Sequence, residues 1–129
     1  GANFFNLLKE QLERRGFVIA AAALATLQEI TEGNLMPEAL RKEKLIRSLL
    51  THPEIKEIRG IGLMLAILVK SPATASKIIL KCLEKGLILF WLLFEEKAIR
   101  ITPPLTITDD EIKEGCAILL QTISELKES

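Results

Sequence analysis

The spacing of the apolar residues changes near residue 51, and this change constrains the fold more than any other feature of the sequence. Before it, apolar residues recur every three or four positions, which is typical of amphipathic helices. After it, residues 60–69 contain no charge and are nearly all apolar, as in a strand that is covered on both faces. A chain with helical and strand patterns in separate stretches is expected to fold as α+β.

Three helices are predicted before the change, at residues 3–15, 18–30 and 35–50. Gly16 is expected to separate the first two, and Gly33 and Asn34 suit a left-handed cap after the second. The second helix is rich in alanine, and small side chains allow another element to approach closely. The predicted apolar side of the third helix consists of Met36, Ala39, Leu40, Ile46, Leu49 and Leu50.

Strands and two further helices are predicted after the change. The predicted strands are residues 55–59, 61–69, 87–93 and 98–102, with a bend around Gly60 and Gly62. A helix over 73–85, capped by Ser71, is expected to bury Ile78, Ile79, Cys82 and Leu83. Thr108 and Glu111 have the spacing of a capping box for a last helix that ends near residue 127. We therefore predict an α+β fold, with a small sheet of three or four strands packed against helices.

The composition excludes several classes of partner. With 17 basic and 17 acidic residues among 129, the net charge is zero, so neither nucleic acid nor an anionic membrane is expected to attract the chain. No uncharged apolar stretch is long enough to span a membrane. The two cysteines, Cys82 and Cys116, lie on apolar sides of predicted helices and are expected to be buried thiols, which indicates a cytoplasmic protein.

No self-contained catalytic site can be assembled from the sequence. The single histidine, His52, precedes a proline at a helix end and is expected to be structural. Gly60 and Gly62 lack the third glycine of a dinucleotide-binding motif. No group of residues has the pattern of a nucleophile with its base, or of a metal site. The acidic residues that begin the last helix complement its dipole: Asp109, Asp110 and Glu111. We predict no catalytic, metal-binding or cofactor-binding residue in this chain.

Arg100 is the one candidate for a ligand-binding side chain. It lies in an apolar predicted strand, shortly before the stiff Pro103–Pro104 pair. A guanidinium that a rigid backbone holds in place can bind a carboxylate through two parallel hydrogen bonds. The alternative is an outward-facing residue of an alternating strand without a functional role. The pattern alone leaves both interpretations open.

Three segments carry a family resemblance: residues 20–27 (AAAALATL), 57–67 (EIRGIGLMLAI) and 99–108 (IRITPPLTIT). The last two are similar to the "RG-x-GLM" and "R-x-x-PPLTIT" signatures of class III aminotransferases, the ornithine and acetylornithine type. Their order and separation also match. The chain therefore resembles this family over about residues 20–127.

The resemblance implies that residues 17–129 form the C-terminal small domain of such an enzyme. The complete enzyme transfers an amino group between an amino acid and a keto acid, with pyridoxal phosphate as its cofactor. The arginine of the second signature binds a substrate carboxylate in the family, and this role falls on Arg100. The implied partners are a large cofactor-binding domain and a second copy of the chain in a homo-oligomer.

Other features depart from the family. Residues 1–16, a predicted helix, have no family match. In the family, a lysine and an aspartate of the large domain hold the cofactor, and the 129 residues contain no such domain. Residues 12–19 replace a segment that helps to bind the cofactor phosphate. We therefore expect the chain alone to be inactive, with Lys77 and Lys81 as ordinary surface amines.

Two further hypotheses compete with an inactive small domain. The first is a non-catalytic interaction module, in which the apolar face that would contact the large domain binds a partner or a second copy. The second is a chain that functions only when it is joined to a separately encoded large domain.

Overall fold

A computed structural model describes residues 2–15 and 18–127 of the chain. The chain divides into two compact units, Gly1–Glu38 and Ala39–Ser129. The elements in chain order are α1 (Ala2–Arg15), α2 (Val18–Glu32), α3 (Leu35–Leu49), β1 (Glu57–Ile61), β2 (Met64–Leu68), α4 (Pro72–Glu84), β3 (Phe90–Trp91), β4 (Ala98–Ile101) and α5 (Asp109–Lys127). The division between the two units falls inside α3.

The first unit contains two helices that pack against each other, α1 and α2. Both predicted helices are confirmed, and α2 extends two residues beyond the predicted end. No residue of α2 is buried, although its alanines suit close packing. Asn34 has a φ of 55°, the left-handed conformation that was predicted after this helix. The predicted break at Gly16 lies outside the described residues.

The second unit contains a four-stranded antiparallel sheet with the strand order β1-β2-β4-β3. Ile61 pairs with Met64, so the chain reverses between β1 and β2 at Gly62, whose φ is 58°. Together with the helices, this sheet confirms the predicted α+β class and the prediction of three or four strands.

One face of the sheet forms the hydrophobic core of the second unit. Ile67 and Ile99 are opposite each other in the register, and both are 0% exposed. The helix α4 packs against α5 and contacts β3 and β4. The Trp91 indole N–H, 3.1 Å from the Ser76 hydroxyl oxygen, ties β3 to α4. Complete burial of a large apolar side chain stabilises the fold by roughly 1.5–3 kcal/mol. Further core side chains are Ile46, Leu50, Leu65, Ile78, Ile79, Cys82, Ile112, Leu119 and Ile123.

The predicted buried sides of two helices are wider than the observed ones. Ile78, Ile79 and Cys82 of α4 are buried as predicted, but Leu83 is 53% exposed. It lies about 100° further round the helix than Cys82, since each residue turns an α-helix by that angle. Met36 and Leu40 of α3 are likewise exposed. The prediction of burial was wrong for Leu83, and the apolar side predicted for α3 is only partly buried, because an apolar residue type alone does not fix the width of the buried stripe.

The edge strand β3 is much shorter than the predicted strand over 87–93. Only Phe90 and Trp91 pair with β4, opposite Arg100 and Ile99. Continuing this register would place Leu87 opposite Pro103, which has no N–H to donate to a ladder. The two segments separate beyond Phe90, and this separation shapes the candidate site.

Local turn chemistry explains the remaining boundaries. Ser71 caps α4 by accepting a hydrogen bond from the Thr74 N–H, as predicted. Gly86 follows α4 with a φ of 85°, the left-handed conformation that ends many helices. Gly60 was predicted to lie in a bend between two strands. It lies instead inside β1, with a φ of 113°. An added Cβ there would collide with the Met64 carbonyl oxygen, so the position requires glycine.

None of the helices in the described ranges is both long enough and apolar enough to cross a lipid bilayer.

Candidate functional site

Arg100 lies on the sheet face opposite to the core. The register places Arg59, Ala66, Arg100 and Phe90 in one row across the four strands. The guanidinium carbon of Arg100 is 5.2 Å from the centroid of the Phe90 ring, within the range of a cation–π contact. Arg59 pairs with Glu57 at 2.8 Å, whereas no carboxylate of the described residues pairs with Arg100. The Arg100 guanidinium can therefore bind an external anion by donating hydrogen bonds to it.

The sheet face around Arg100 is exposed and partly apolar. Met64 is 75% exposed and Ile61 71%, and Phe90 is also exposed. We call this surface the bare face and define it by Arg59, Ile61, Met64, Phe90 and Arg100. Exposed apolar side chains that surround a cation are typical of a surface that contacts a partner or a ligand.

A buried lysine anchors the loop that follows Arg100. Lys42 of α3 is only 6% exposed, and its ammonium donates to the Leu105 carbonyl oxygen at 2.8 Å. Lysine is seldom buried without a partner, so this bond fixes the loop against α3. The burial of Lys42 was not predicted from the sequence. The available signal was its position four residues before the buried Ile46, on the same side of the helix.

A bidentate ion pair anchors the same loop at its far end. The Arg41 guanidinium donates to both Asp109 carboxylate oxygens, at 2.9 and 2.7 Å. These bonds lower the pKa of Asp109 below its usual value. Asp109, at the start of α5, therefore has a structural contact that its place in the sequence does not reveal.

The predicted capping box begins α5. The Glu111 carboxylate accepts hydrogen bonds from the backbone N–H and the hydroxyl of Thr108, both at 2.8 Å, and the Thr108 hydroxyl accepts one from the Glu111 N–H. The backbone bond from Thr108 is the main cause that lowers the pKa of Glu111. Glu111 is therefore ionised at neutral pH.

A cavity of about 330 Å³ opens where the β3–β4 ladder stops. Arg100 and Glu111 are the only charged residues among those that line it within the described chain. Apolar side chains form most of its wall. The lining residues are Ile46, Leu50, Leu87, Ile88, Leu89, Phe90, Arg100, Ile101, Thr102, Pro103, Pro104, Ile107, Glu111, Ile112, Gly115, Cys116 and Leu119. Sequence reasoning did not predict this cavity.

Both cysteines are free and buried, as predicted. Burial raises the pKa of the Cys116 thiol to about 11, so this part of the cavity wall is neutral at pH 7. Burial also raises the pKa of Cys82, against a weaker opposing effect of the Thr122 hydroxyl. Neither thiol has the lowered pKa of a nucleophilic cysteine.

The other candidate residues have structural contacts. The His52 ring accepts a hydrogen bond from the Glu54 N–H at 3.1 Å, and its second nitrogen is 3.3 Å from the Ser124 hydroxyl oxygen. His52 thus connects the turn before β1 to α5. Within residues 2–15 and 18–127, no group of three or more histidine, cysteine or acidic residues could hold a metal ion.

The described residues do not fit a pyridoxal phosphate site. A Schiff base needs a lysine amine inside a cavity, and no described lysine lines the cavity beside Arg100. The buried Lys42 ammonium is bonded to the Leu105 carbonyl oxygen. Lys77 lies on the exposed side of α4 and Lys81 is half-buried. The described residues therefore offer no lysine that could form the Schiff base with this cofactor.

Comparison with known proteins gives consistent matches. The aminotransferase class-III family matches residues 17–123. The acetylornithine aminotransferase of Caldanaerobacter subterraneus subsp. tengcongensis is 38% identical over 112 residues, which cover 83% of this chain and 28% of that protein. The alanine/serine racemase of Pyrococcus horikoshii is 37% identical over 121 residues, which cover 84% of this chain and 25% of that protein.

Solved structures agree with the sequence matches. The acetylornithine aminotransferase of Elizabethkingia anophelis superposes with a TM-score of 0.73 at 30% identity, over 82% of this chain and 28% of that one. The chain thus spans between a quarter and three tenths of the length of these relatives. With a family match over most of its length and a matching fold, the chain belongs to the class III aminotransferase family.

Proposed function

We propose that residues 17–129 form the C-terminal small domain of a class III aminotransferase, in which Arg100 binds the carboxylate of a substrate. The reaction of the complete enzyme is the transfer of an amino group between an amino acid and a keto acid. The partner of this chain is the large domain that holds pyridoxal phosphate, and the assembled enzyme is a homo-oligomer.

The observation that carries this proposal is the position of Arg100. It is a cation without an acidic partner in the described residues, and it lies on an exposed sheet face. Charge-assisted bonds from a guanidinium to a carboxylate are about twice as strong as neutral hydrogen bonds. Lys42 holds the middle of the following loop, and the Arg41–Asp109 pair holds its far end. This support limits the movement of the backbone from which Arg100 extends.

We further propose that the 129-residue chain alone is inactive. The test is to incubate it with pyridoxal phosphate, reduce the mixture with borohydride and map the adducts by mass spectrometry. We expect weak labelling spread over surface lysines, with Lys42 unlabelled because its ammonium is buried. Stoichiometric labelling of one lysine, with an absorbance that an amino acid reverses, would contradict the proposal.

The domain assignment can be tested by replacement. The matching segment of the Caldanaerobacter acetylornithine aminotransferase is exchanged for residues 17–127 of this chain. We expect a folded chimera with measurable transamination, in which Arg100→Gln lowers kcat/KM at least about tenfold, the loss expected for a charged hydrogen bond. Arg59→Gln is the matched control on the same face. A chimera that folds and binds the cofactor but does not respond to Arg100→Gln would contradict the role of Arg100.

A second candidate function is a non-catalytic module that associates with itself or with a partner. The observation that favours it is the run of exposed apolar residues near the edge strand, including Ile88, Leu93 and Phe94. Analytical ultracentrifugation of the chain at micromolar concentration tests this function. An oligomer that Phe94→Ser disrupts would support it, and a monomer at all concentrations would contradict it.

The proposed compartment is the cytoplasm. Its support is the pair of free, buried cysteines, because disulfides are rare where thiols are kept reduced. Localisation of a tagged full-length protein by fractionation tests this part of the proposal.

A further inference from the structure

We infer that two copies of the chain associate through β3, and that the outer edges of the two β3 strands pair antiparallel to join the two sheets into one. The partner at this edge is thus a second copy of the same chain. This inference rests on the self-association given above as the second candidate function, and it adds the surface and the register. It does not depend on the role of Arg100.

The outer edge of β3 is open to a further strand. β3 is the last strand in the sheet order, so no strand of the described residues lies on its outer side. Within the described chain, residues 88–92 make no backbone hydrogen bonds apart from the ladder to β4. The Leu87 N–H already donates to the Cys82 carbonyl oxygen at 2.9 Å, so the free edge begins at Ile88. Unpaired N–H and C=O groups of an edge strand are a template for pairing.

The two edges of the sheet differ in charge. At the β1 edge, Glu57 and Arg59 form an exposed ion pair, and charged side chains protect an edge strand from pairing. Residues 87–94, by contrast, contain no charge, and Ile88 is 65% and Phe94 95% exposed. Pairing of β3 with the β1 of another copy would place charges against an apolar segment. Pairing of β3 with β3 places apolar residues against each other.

An exposed apolar stripe of α4 lies beside the same edge. The Ser76 hydroxyl oxygen accepts the hydrogen bond from the Trp91 indole, so this side of α4 is next to β3. Leu80 and Leu83 follow Ser76 by four and seven positions on that side, and both are exposed. A two-fold axis at β3 brings the stripes of both copies to one interface. Their burial would add to the free energy of association.

The faces of the strand restrict the register. Residues opposite each other in an antiparallel pair point to the same face of the sheet. Phe90 lies on the bare face, whereas Trp91 lies on the face that the helices cover. Phe90 of one copy can therefore lie opposite Phe90 of the other, on the two-fold axis, but not opposite Trp91. This register places Ile88 opposite Leu92, so every pair between them is apolar.

The charges beyond the apolar segment favour the same register. A two-fold axis at Phe90 brings Lys85 of each copy near Glu95 of the other, at both ends of the pairing. The Lys85 ammonium donates to Glu125 at 2.7 Å within its own copy and has two further N–H donors. Moving the axis by one residue would bring Lys85 near Lys97 or near an apolar side chain. Charge complementarity thus selects the axis at Phe90.

Sedimentation velocity of the full chain at micromolar concentrations tests the association, with the fluorescence of Trp91 as a parallel readout. We expect a dimer, and a shift of the emission to shorter wavelength as it forms, because Trp91 leaves water. Ile88→Lys is expected to raise the dimer Kd at least about tenfold, because it places an ammonium in an apolar interface. Ile61→Lys, at the exposed β1 edge, is the matched control and should leave the Kd unchanged. Circular dichroism verifies that both variants fold.

Cysteine cross-linking tests the register, since both native thiols are buried. A residue on the two-fold axis lies opposite itself, with Cα atoms about 4.5–5.5 Å apart, a distance that a disulfide can bridge. Phe90→Cys is therefore expected to give a covalent dimer under mild oxidation. Ile88→Cys is not, because its two copies would be about 14 Å apart along the strands. The double variant Ile88→Cys, Leu92→Cys keeps Phe90 and is again expected to cross-link.

The outcomes separate this inference from the proposed functions. A monomer at all concentrations would overturn the inference together with the second candidate function. A dimer that Ile88→Lys does not weaken, or that Ile61→Lys weakens equally, would overturn the inference and leave self-association intact. Cross-linking of Ile88→Cys alone, without cross-linking of Phe90→Cys or the double variant, would also overturn it. The role of Arg100 is tested separately by the chimera.

Discussion

The two faces of the sheet are formed by alternate residues of the same strands, yet their surroundings differ. On the covered face, Leu65, Ile67 and Ile99 are buried against the helices. On the bare face, Met64 and Phe90 remain exposed beside Arg100. Side chains alternate along a strand, so one stretch of sequence can serve both purposes. The comparison suggests that the covered face maintains the fold while the bare face is available for binding.

The largest expected difference between the faces is in stability. Ile67→Ala removes a fully buried side chain and is expected to lower the free energy of unfolding by about 2–5 kcal/mol. Met64→Ala, on the bare face, is the matched control and is expected to change it by no more than about 0.5 kcal/mol. Urea unfolding followed by circular dichroism measures both. Equal losses for the two variants would break the comparison.

The anchor of the loop after β4 is expected to have an intermediate effect. Lys42→Ala leaves the Leu105 carbonyl oxygen without its charged donor and is expected to cost about 1.5–3 kcal/mol in the same assay. The exposed Lys44 on the same helix supplies the control, since Lys44→Ala removes a solvated amine. If the two lysine variants were equally stable, the loop would not depend on this bond.

Acid is expected to weaken the contacts of this loop. Hydrogen bonds from Arg41 lower the pKa of Asp109, and bonds from Thr108 lower the pKa of Glu111, each below its usual range. A carboxyl group whose pKa is lower in the folded state stabilises the fold above its unfolded pKa, and this contribution is lost as the pH falls through the folded pKa. The urea midpoint should therefore be constant from pH 7 to about 5 and fall below about pH 4.5.

A variant pair assigns that acid response. Asp109→Asn should reduce the fall of the midpoint below about pH 4.5. Glu57→Gln on the bare face should change it less, because the Glu57–Arg59 pair is exposed and such pairs contribute little. If Glu57→Gln reduced the acid fall of the urea midpoint more than Asp109→Asn, the assignment of this acid response to the loop after β4 would be contradicted.

The smallest expected effect is a gain in stability. Gly115 lies inside α5 without the positive φ that would require glycine, and an added Cβ meets only Leu87, at 3.5 Å. Gly115→Ala should raise the free energy of unfolding by about 0.5–1 kcal/mol. Gly86→Ala is the control with the opposite sign, because Gly86 has a φ of 85°. Thermal unfolding followed by circular dichroism distinguishes the two.

The parts of the fold that local chemistry determines could be predicted from the sequence. The Ser71 cap of α4 and the capping box of Thr108 and Glu111 depend on neighbouring residues, and both were predicted correctly. The early end of β3 could not be predicted, because it depends on pairing with distant residues that include Pro103. The cavity follows from that early end, so it was missed for the same reason.

The candidate site shows the same limit. Arg100 could be selected because a cation in an apolar strand is uncommon, and the family signature contains it. Its exposure and its contact with Phe90 depend on the sheet register, which the sequence pattern does not give. The burial of Lys42 was also missed, because lysine is usually exposed and its acceptor lies 63 residues away in the chain.

The most direct test of this account is whether Arg100 on the bare face binds a carboxylate. The chain is labelled with [15N]arginine, and the side-chain Nε–H signals are followed by NMR during a titration with acetate. Arg100→Gln and Arg59→Gln assign two of the signals. We predict that the Arg100 signal moves and saturates, while the signal of Arg59, already paired with Glu57, moves little. An unchanged Arg100 signal, or equal shifts of all arginine signals, would contradict the account.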